Sequence, residues 1–154
     1  MKVINKKILI IFFLAACVLL GYWIWLCLRP VEIVALHQEN NYSDILVRSF
    51  PPTDKGKIIW WLENKNMLEE KYGIPKHSSD GSFVVVFWDF GDGYKKTDGY
   101  DNLCFKDMKP PMNCIEKNSL LMVRNSENTG SYFVLDSGTY RISNKGDIVK
   151  NKSD

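Results

Sequence analysis

The chain is 154 residues long and carries 20 Lys and Arg against 18 Asp and Glu, a net charge of +2. Every acidic residue lies after Pro30; with Lys2, Lys6, Lys7 and Arg29 set aside, the remainder holds 16 cations against 18 anions, a balance of −2. That balance, with no run of five basic residues, argues against a nucleic-acid partner.

Residues 8–28 contain no charge and no strongly polar side chain. At ~1.5 Å per residue, 21 helical residues extend ~31 Å, close to the ~30 Å of a bilayer's hydrocarbon. Tyr22, Trp23 and Trp25 fall in the last two turns, where amphipathic rings favour the interface. Arg29 and Pro30 end the run, because proline disfavours helical geometry in the residue before it. Leu14-Ala15-Ala16-Cys17 also resembles a lipoprotein cleavage site, and a cut before Cys17 is the alternative. It would leave an apolar stub in place of a flexible tether, and it predicts a smaller, acylated product. Length therefore favours a span. Lys2, Lys6 and Lys7 precede the run, and after it Arg29 is the only cation until Arg48. Positive flanks stay in the cytoplasm. The expected organisation is a cytoplasmic leader at 1–7, a transmembrane helix at 8–28 and one periplasmic domain at 29–154, in a bacterial inner membrane.

Beyond the span, "VEIVALHQ" and "DILVRSF" read as a hairpin across the turn-rich "ENNYS". After "FPPT", Thr53 or Asp54 is placed to cap a helix running to about Tyr72, stopped by Gly73 and Pro75. "FVVVFWDF" is apolar on both faces: Phe83, Val85 and Phe87 on one, Val84, Val86 and Trp88 on the other. Such a strand is central and covered on both sides. "LLMVRN", "SYFVLD", "SGTYRIS" and "NKGDIVK" continue as strands joined by tight turns. The fold class is α+β, with an N-terminal transmembrane helix and a mostly antiparallel sheet of six to eight strands on one main helix.

Four cysteines are present. Cys17 and Cys27 lie in the span, where cysteine acts as a small hydrophobe. Cys104 and Cys114 frame "CFKDMKPPMNC", and a pair ten positions apart makes a poor zinc site but a natural disulfide outside the cytoplasm. Closing so short a loop contributes about 2–3 kcal/mol.

No catalytic constellation stands out, so the chain is not expected to be an enzyme. His37 ends a strand, and His77 sits in a polar loop beside Ser78 and Ser79. Neither matches a nucleophile elbow or a metal-ligand spacing. No metal or cofactor is expected. Asp89, Asp92, Asp98 and Asp101 cluster with three glycines, but the order of residues is not that of an EF-hand. Turn capping is the plainer reading. A calcium-dependent binder or hydrolase using these carboxylates is the alternative function. "WDFGDG" resembles the signature of the polycystic-kidney-disease-type β-sandwich repeats. A helix stands where their early strands belong, so that match is read as convergent.

A longer resemblance covers nearly the whole chain. The lysine-rich leader, the span, "LRPVEIVALHQ", "NYSDILVRSFPPTDKGKIIWWLENK", "FWDFGDGY", "CIEKN" and "VRNSENTG" follow one another. In this order they are similar to the enterobacterial family of short membrane proteins known only as a domain of unknown function. The resemblance implies an inner-membrane protein with one soluble domain, and it implies no activity. Two surface features point to an unknown protein partner. Lys109, Pro110, Pro111 and Met112 form a stiff, partly apolar tip on the disulfide loop. Trp60 is an interface residue if the helix leaves it exposed, since Trp61 beside it points about 100° away. The expected function is a non-catalytic periplasmic binding domain, serving as an envelope accessory or an immunity-type blocker.

Overall fold

The structure is a computed structural model and describes residues 5–151. Helix α1, Lys6–Leu28, begins at Asn5, whose side chain accepts from the Lys7 N–H at 3.1 Å. It ends where Arg29 turns extended ahead of Pro30, with the Arg29 N–H donating to the Trp25 carbonyl at 3.0 Å. It is 23 residues long and apolar after Lys6 and Lys7, and none of its residues is buried. By length and composition α1 is a candidate span.

Three residues later the sheet begins. Strand β1, Glu32–Glu39, pairs antiparallel with β2, Tyr42–Arg48. Helix α2, Asp54–Tyr72, crosses from β2 to β3, Phe83–Asp89, and these two strands are parallel. The remaining strands of the main sheet are antiparallel: β6 (Ser119–Ser126), β7 (Gly130–Leu135), β8 (Gly138–Ile142) and β9 (Ile148–Lys150). The order across the seven strands is β1-β2-β3-β6-β7-β8-β9. Between β3 and β6 the chain makes a separate two-stranded hairpin, β4 (Asn102–Cys104) with β5 (Cys114–Glu116). The α+β class and the seven-stranded, mostly antiparallel sheet match the sequence reading. The β4–β5 hairpin is a further element, where the sequence leads one to expect only a loop.

The caps of α2 follow from its sequence. Thr53 Oγ1 accepts from the Gly56 N–H at 3.0 Å, which satisfies one of the unpaired donors of the first turn. A Cβ on Gly56 would approach that same oxygen to 2.7 Å, so the residue under the cap has to be small. At the far end Gly73 takes the left-handed conformation (φ 69°), and the N–H groups of Gly73 and Ile74 close on the carbonyls of Glu69 and Leu68.

Strand β3 sets the layers. Phe83, Val85 and Phe87 point toward α2, where Ile58, Trp61 and Leu68 meet them with Ile45 and Val47 of β2. Val86 and Trp88 point the other way and are buried with Leu46, Phe90, Phe105 and Ile115. The second cover is therefore the β4–β5 hairpin and its loop. Phe87 lies at the aromatic centre of the helix layer, against Phe50 at 5.0 Å, Trp60 at 5.6 Å and Trp61 at 6.1 Å between ring centroids. Three rings around one buried phenyl leave little room to collapse. We expect Phe87→Ala to lower unfolding stability by roughly 3–5 kcal/mol, read from chemical unfolding of the detergent-solubilised protein. A loss below about 1 kcal/mol would mean that this layer is not the packed core.

Candidate functional site

The site begins with an irregularity in β1. Ile33 pairs with Val47, yet Ala35 pairs with Leu46, so Val34 is an extra residue. One extra residue reverses the facing of every side chain that follows. Before the bulge Ile33 packs in the helix layer; after it Ala35 belongs to the hairpin layer and Leu36 to the helix layer. The same alternation carries His37 and Glu39 onto the hairpin side. His37 pairs across the ladder with Asp44 of β2.

The hairpin then closes on His37. Its ring stacks on Phe105, with centroids 3.8 Å apart and planes 12° from parallel. Nδ1 lies 2.8 Å from both carboxylate oxygens of Asp107. Nε2 lies 2.9 Å from the Tyr94 hydroxyl. Phe105 directly follows β4 and Asp107 lies in the turn after it, where the Met108 N–H donates to the Phe105 carbonyl at 3.4 Å, and both reach the same partner. His37 is only 9 % exposed, and both imidazole nitrogens are engaged within the protein. Burial pushes the Tyr94 hydroxyl up, and the Asp107 charge adds to that. A hydroxyl held in its neutral form is a poor nucleophile. The arrangement works as a clamp between β1 and the hairpin.

Beside the clamp lies an open cleft of about 490 Å³, whose walls include Glu39, Tyr42, Asp44, Phe105, Lys106 and Asp107. Lys106 pairs with Glu39 across it at 3.5 Å, and both side chains are largely exposed. Asp44 accepts from the Trp88 indole N–H at 2.7 Å. Burial raises its carboxyl above the usual range; the Trp88 bond and the His37 side chain oppose this, and Asp107 and Glu39 add to it. Strand β1 leaves the end of α1 and runs six residues to this cleft. At ~3.3 Å per residue the cleft is ~20 Å along from the helix exit.

The residues singled out from sequence divide between two layers. Cys104 and Cys114 sit opposite each other in the hairpin register with their sulfurs 2.08 Å apart, within bonding distance. Lys109, Pro110, Pro111 and Met112 are all exposed on the loop they close, Met112 at 50 %. Trp60 is on the opposite layer, half-buried against Phe50 at 5.5 Å, while Trp61 is fully covered. Trp60 and the loop tip therefore cannot form one contact surface. The acidic segment does not converge. Asp89 accepts from the Gly91 N–H, Asp98 accepts from the Tyr100 N–H and pairs with Lys95, and Asp101 lies near Lys117. Among the described residues no three His, Cys, Asp or Glu side chains come together as a metal would require. His77 lies edge-on to Phe83 at 5.1 Å.

The sequence profile described as "Enterobacterial putative membrane protein (DUF943)" matches residues 2–152. The chain belongs to this family. Comparison with curated proteins and with solved structures finds no match. The family's description accords with the one candidate span found among the described residues. The clamp residues His37, Tyr94, Asp107 and the neighbouring Asp44 were not among the sites expected from the sequence.

Asp44 carries a pH test. Its folded carboxyl binds a proton more tightly than the unfolded one, whose ordinary value is 3.8. The contribution of Asp44 to folded stability is thus most favourable below that value and is lost as pH rises through the raised folded pKa. At neutral pH the charge costs stability. Asp44→Asn keeps an acceptor for Trp88 and removes the charge. We expect the variant to be more stable than the parent at neutral pH, with the gain shrinking as pH falls toward the ordinary carboxylate range, measured by urea unfolding. A variant destabilised equally at both pH values would contradict this.

Proposed function

We propose that the chain is a single-pass inner-membrane protein whose periplasmic domain binds a protein partner and catalyses no reaction. The partner would be an envelope complex that it serves as an accessory, or an incoming toxin that it blocks. The lysines before α1 favour a cytoplasmic N-terminus. The bonded cysteine pair fits an oxidising compartment. The engaged nitrogens of His37 and the protonated Tyr94 speak for a structural role of the histidine over catalysis.

One observation carries the binding reading. A short exposed loop with two prolines and a methionine at its tip is held by four separate devices: the Cys104–Cys114 pair, the Asp107–His37 contact, the Phe105 stack and the burial of Ile115. Holding a loop in one shape removes the ordering cost that a partner would otherwise meet. The cleft beside it adds carboxylates and the Tyr42 ring for polar contacts at the rim.

A photo-crosslinking amino acid in place of Met112, in intact cells, tests this. We expect a discrete protein adduct at Met112, absent when the probe replaces Glu127 at the β6–β7 turn and weakened when His37→Ala loosens the clamp. Equal labelling at both positions, or no adduct at Met112, would count against a partner at the loop.

A further inference from the structure

A second surface lies at the other end of the domain. Only Arg29, Pro30 and Val31 separate Leu28 from Glu32, and three residues reach at most ~10 Å. The domain therefore stays close to whatever surface α1 leaves. Cys27, in the last turn of α1, shares a shallow hollow of about 210 Å³ with Pro51, Pro52, Ile59, Trp60 and Glu63. The N-terminal half of α2 thus stands level with the end of the apolar helix.

That level has a physical meaning. The apolar run at 8–28 matches the hydrocarbon thickness, which puts Cys27 near its edge, and the polar interfacial layer extends ~5–8 Å further on each side. On α2 the side chains suit such a layer. Ile59 is a large aliphatic residue left 43 % exposed, and Pro52 beside the hollow is exposed too. Trp60 buries one face against Phe50 and Phe87 and offers the rest outward. Lys55, exposed, is one turn before Ile59 on the same face. Tyr22 and Trp25 stack at 6.0 Å on the last turns of α1, and the Arg29 guanidinium lies 5.5 Å from the Trp25 ring. Aromatic rings with apolar bodies and polar tips, flanked by cations, are the side chains that headgroup regions hold. The Glu63 carboxylate at the rim of the hollow sets the depth at the headgroups, short of the acyl interior.

We propose that residues 51–60, at the start of α2, form a lipid-binding face that rests on the phospholipid headgroup layer beside the exit of α1. Trp60 then completes, from outside the span, the aromatic belt that Tyr22, Trp23 and Trp25 begin. The inference rests on reading α1 as a membrane span. It ties the domain to the bilayer at its near end and directs the cleft and the residue 109–112 loop away from it.

The test uses the full chain in vesicles of phosphatidylethanolamine and phosphatidylglycerol, with Cys17 and Cys27 replaced by serine and Cys104–Cys114 left bonded. Single cysteines at Ile59, Lys55, Glu127 and Leu20 carry an environment-sensitive dye. Dyes at Ile59 and Lys55 are expected to shift to the blue, to be quenched by nitroxide phospholipid and to lose quenching by aqueous iodide. The dye at Glu127 stays in water, and the one at Leu20 is quenched by lipid. If Ile59 and Lys55 behave like Glu127 while Leu20 lies in lipid, the lipid-binding face is overturned and the span stands. If Leu20 is also open to iodide, the span fails and this proposal fails with it. Lipid quenching at Glu127 as strong as at Ile59 would overturn the assignment of a particular face.

Discussion

Between Phe83 and Trp88 the chain places six apolar side chains on one strand, and both faces of β3 have to be kept from water. A nineteen-residue helix covers one face at little risk, since α2 carries its own caps and its own row of apolar side chains. The other face has only two strands of three residues and a loop. Such a hairpin is not stable alone. Its hold on the sheet comes from burying Phe105 and Ile115, each worth about 1.5–3 kcal/mol, and from the His37 clamp along its side; the Cys104–Cys114 pair locks its two strands to each other where the loop begins.

The clamp exists because of a single extra residue. Without the bulge at Val34 the imidazole would be directed at α2, and Asp107 and Tyr94 would have no partner on β1. The same bulge brings His37 beside Asp44, whose half-buried carboxylate is held by the Trp88 indole. Structure and proposed function meet here. The devices that seal β3 from water also give the loop at residues 109–112 one shape, and they do so at the end of the sheet farther from α1. The near end is arranged differently, with aliphatic and aromatic side chains beside the last turn of the apolar helix. In the proposed topology one end of the domain is for the bilayer and the other for a partner.

Much of this was legible in the residues. The two-faced β3, the Thr53 and Gly73 caps of α2, the pairing of Cys104 with Cys114 and the order of the later strands all follow from local pattern and turn chemistry. The clamp was not, and the reason is distance along the chain. Asp107 is 70 positions from His37, and Tyr94 is 57. A bulge leaves no mark in the run Ile33-Val34-Ala35-Leu36, where each residue around it is apolar. Helical spacing sets Trp60 and Trp61 apart, and Trp60 is half-buried beside a covered Trp61; its contact with Phe50 was not legible, because it joins the helix to the segment just past β2. The parallel step from β2 to β3 was also hidden, since the crossover through α2 has no sequence mark beyond the helix itself.

The claim on which the account rests is that the second face of β3 is closed by a bonded Cys104–Cys114 hairpin outside the cytoplasm. Thiol trapping in intact cells tests it most directly, using the full chain with Cys17 and Cys27 replaced by serine and a maleimide that adds visible mass. We expect no modification of the protein after rapid acid quenching and denaturation, and two additions once reductant precedes the label. Two free thiols in untreated cells, with the domain still folded, would contradict both the brace and the compartment.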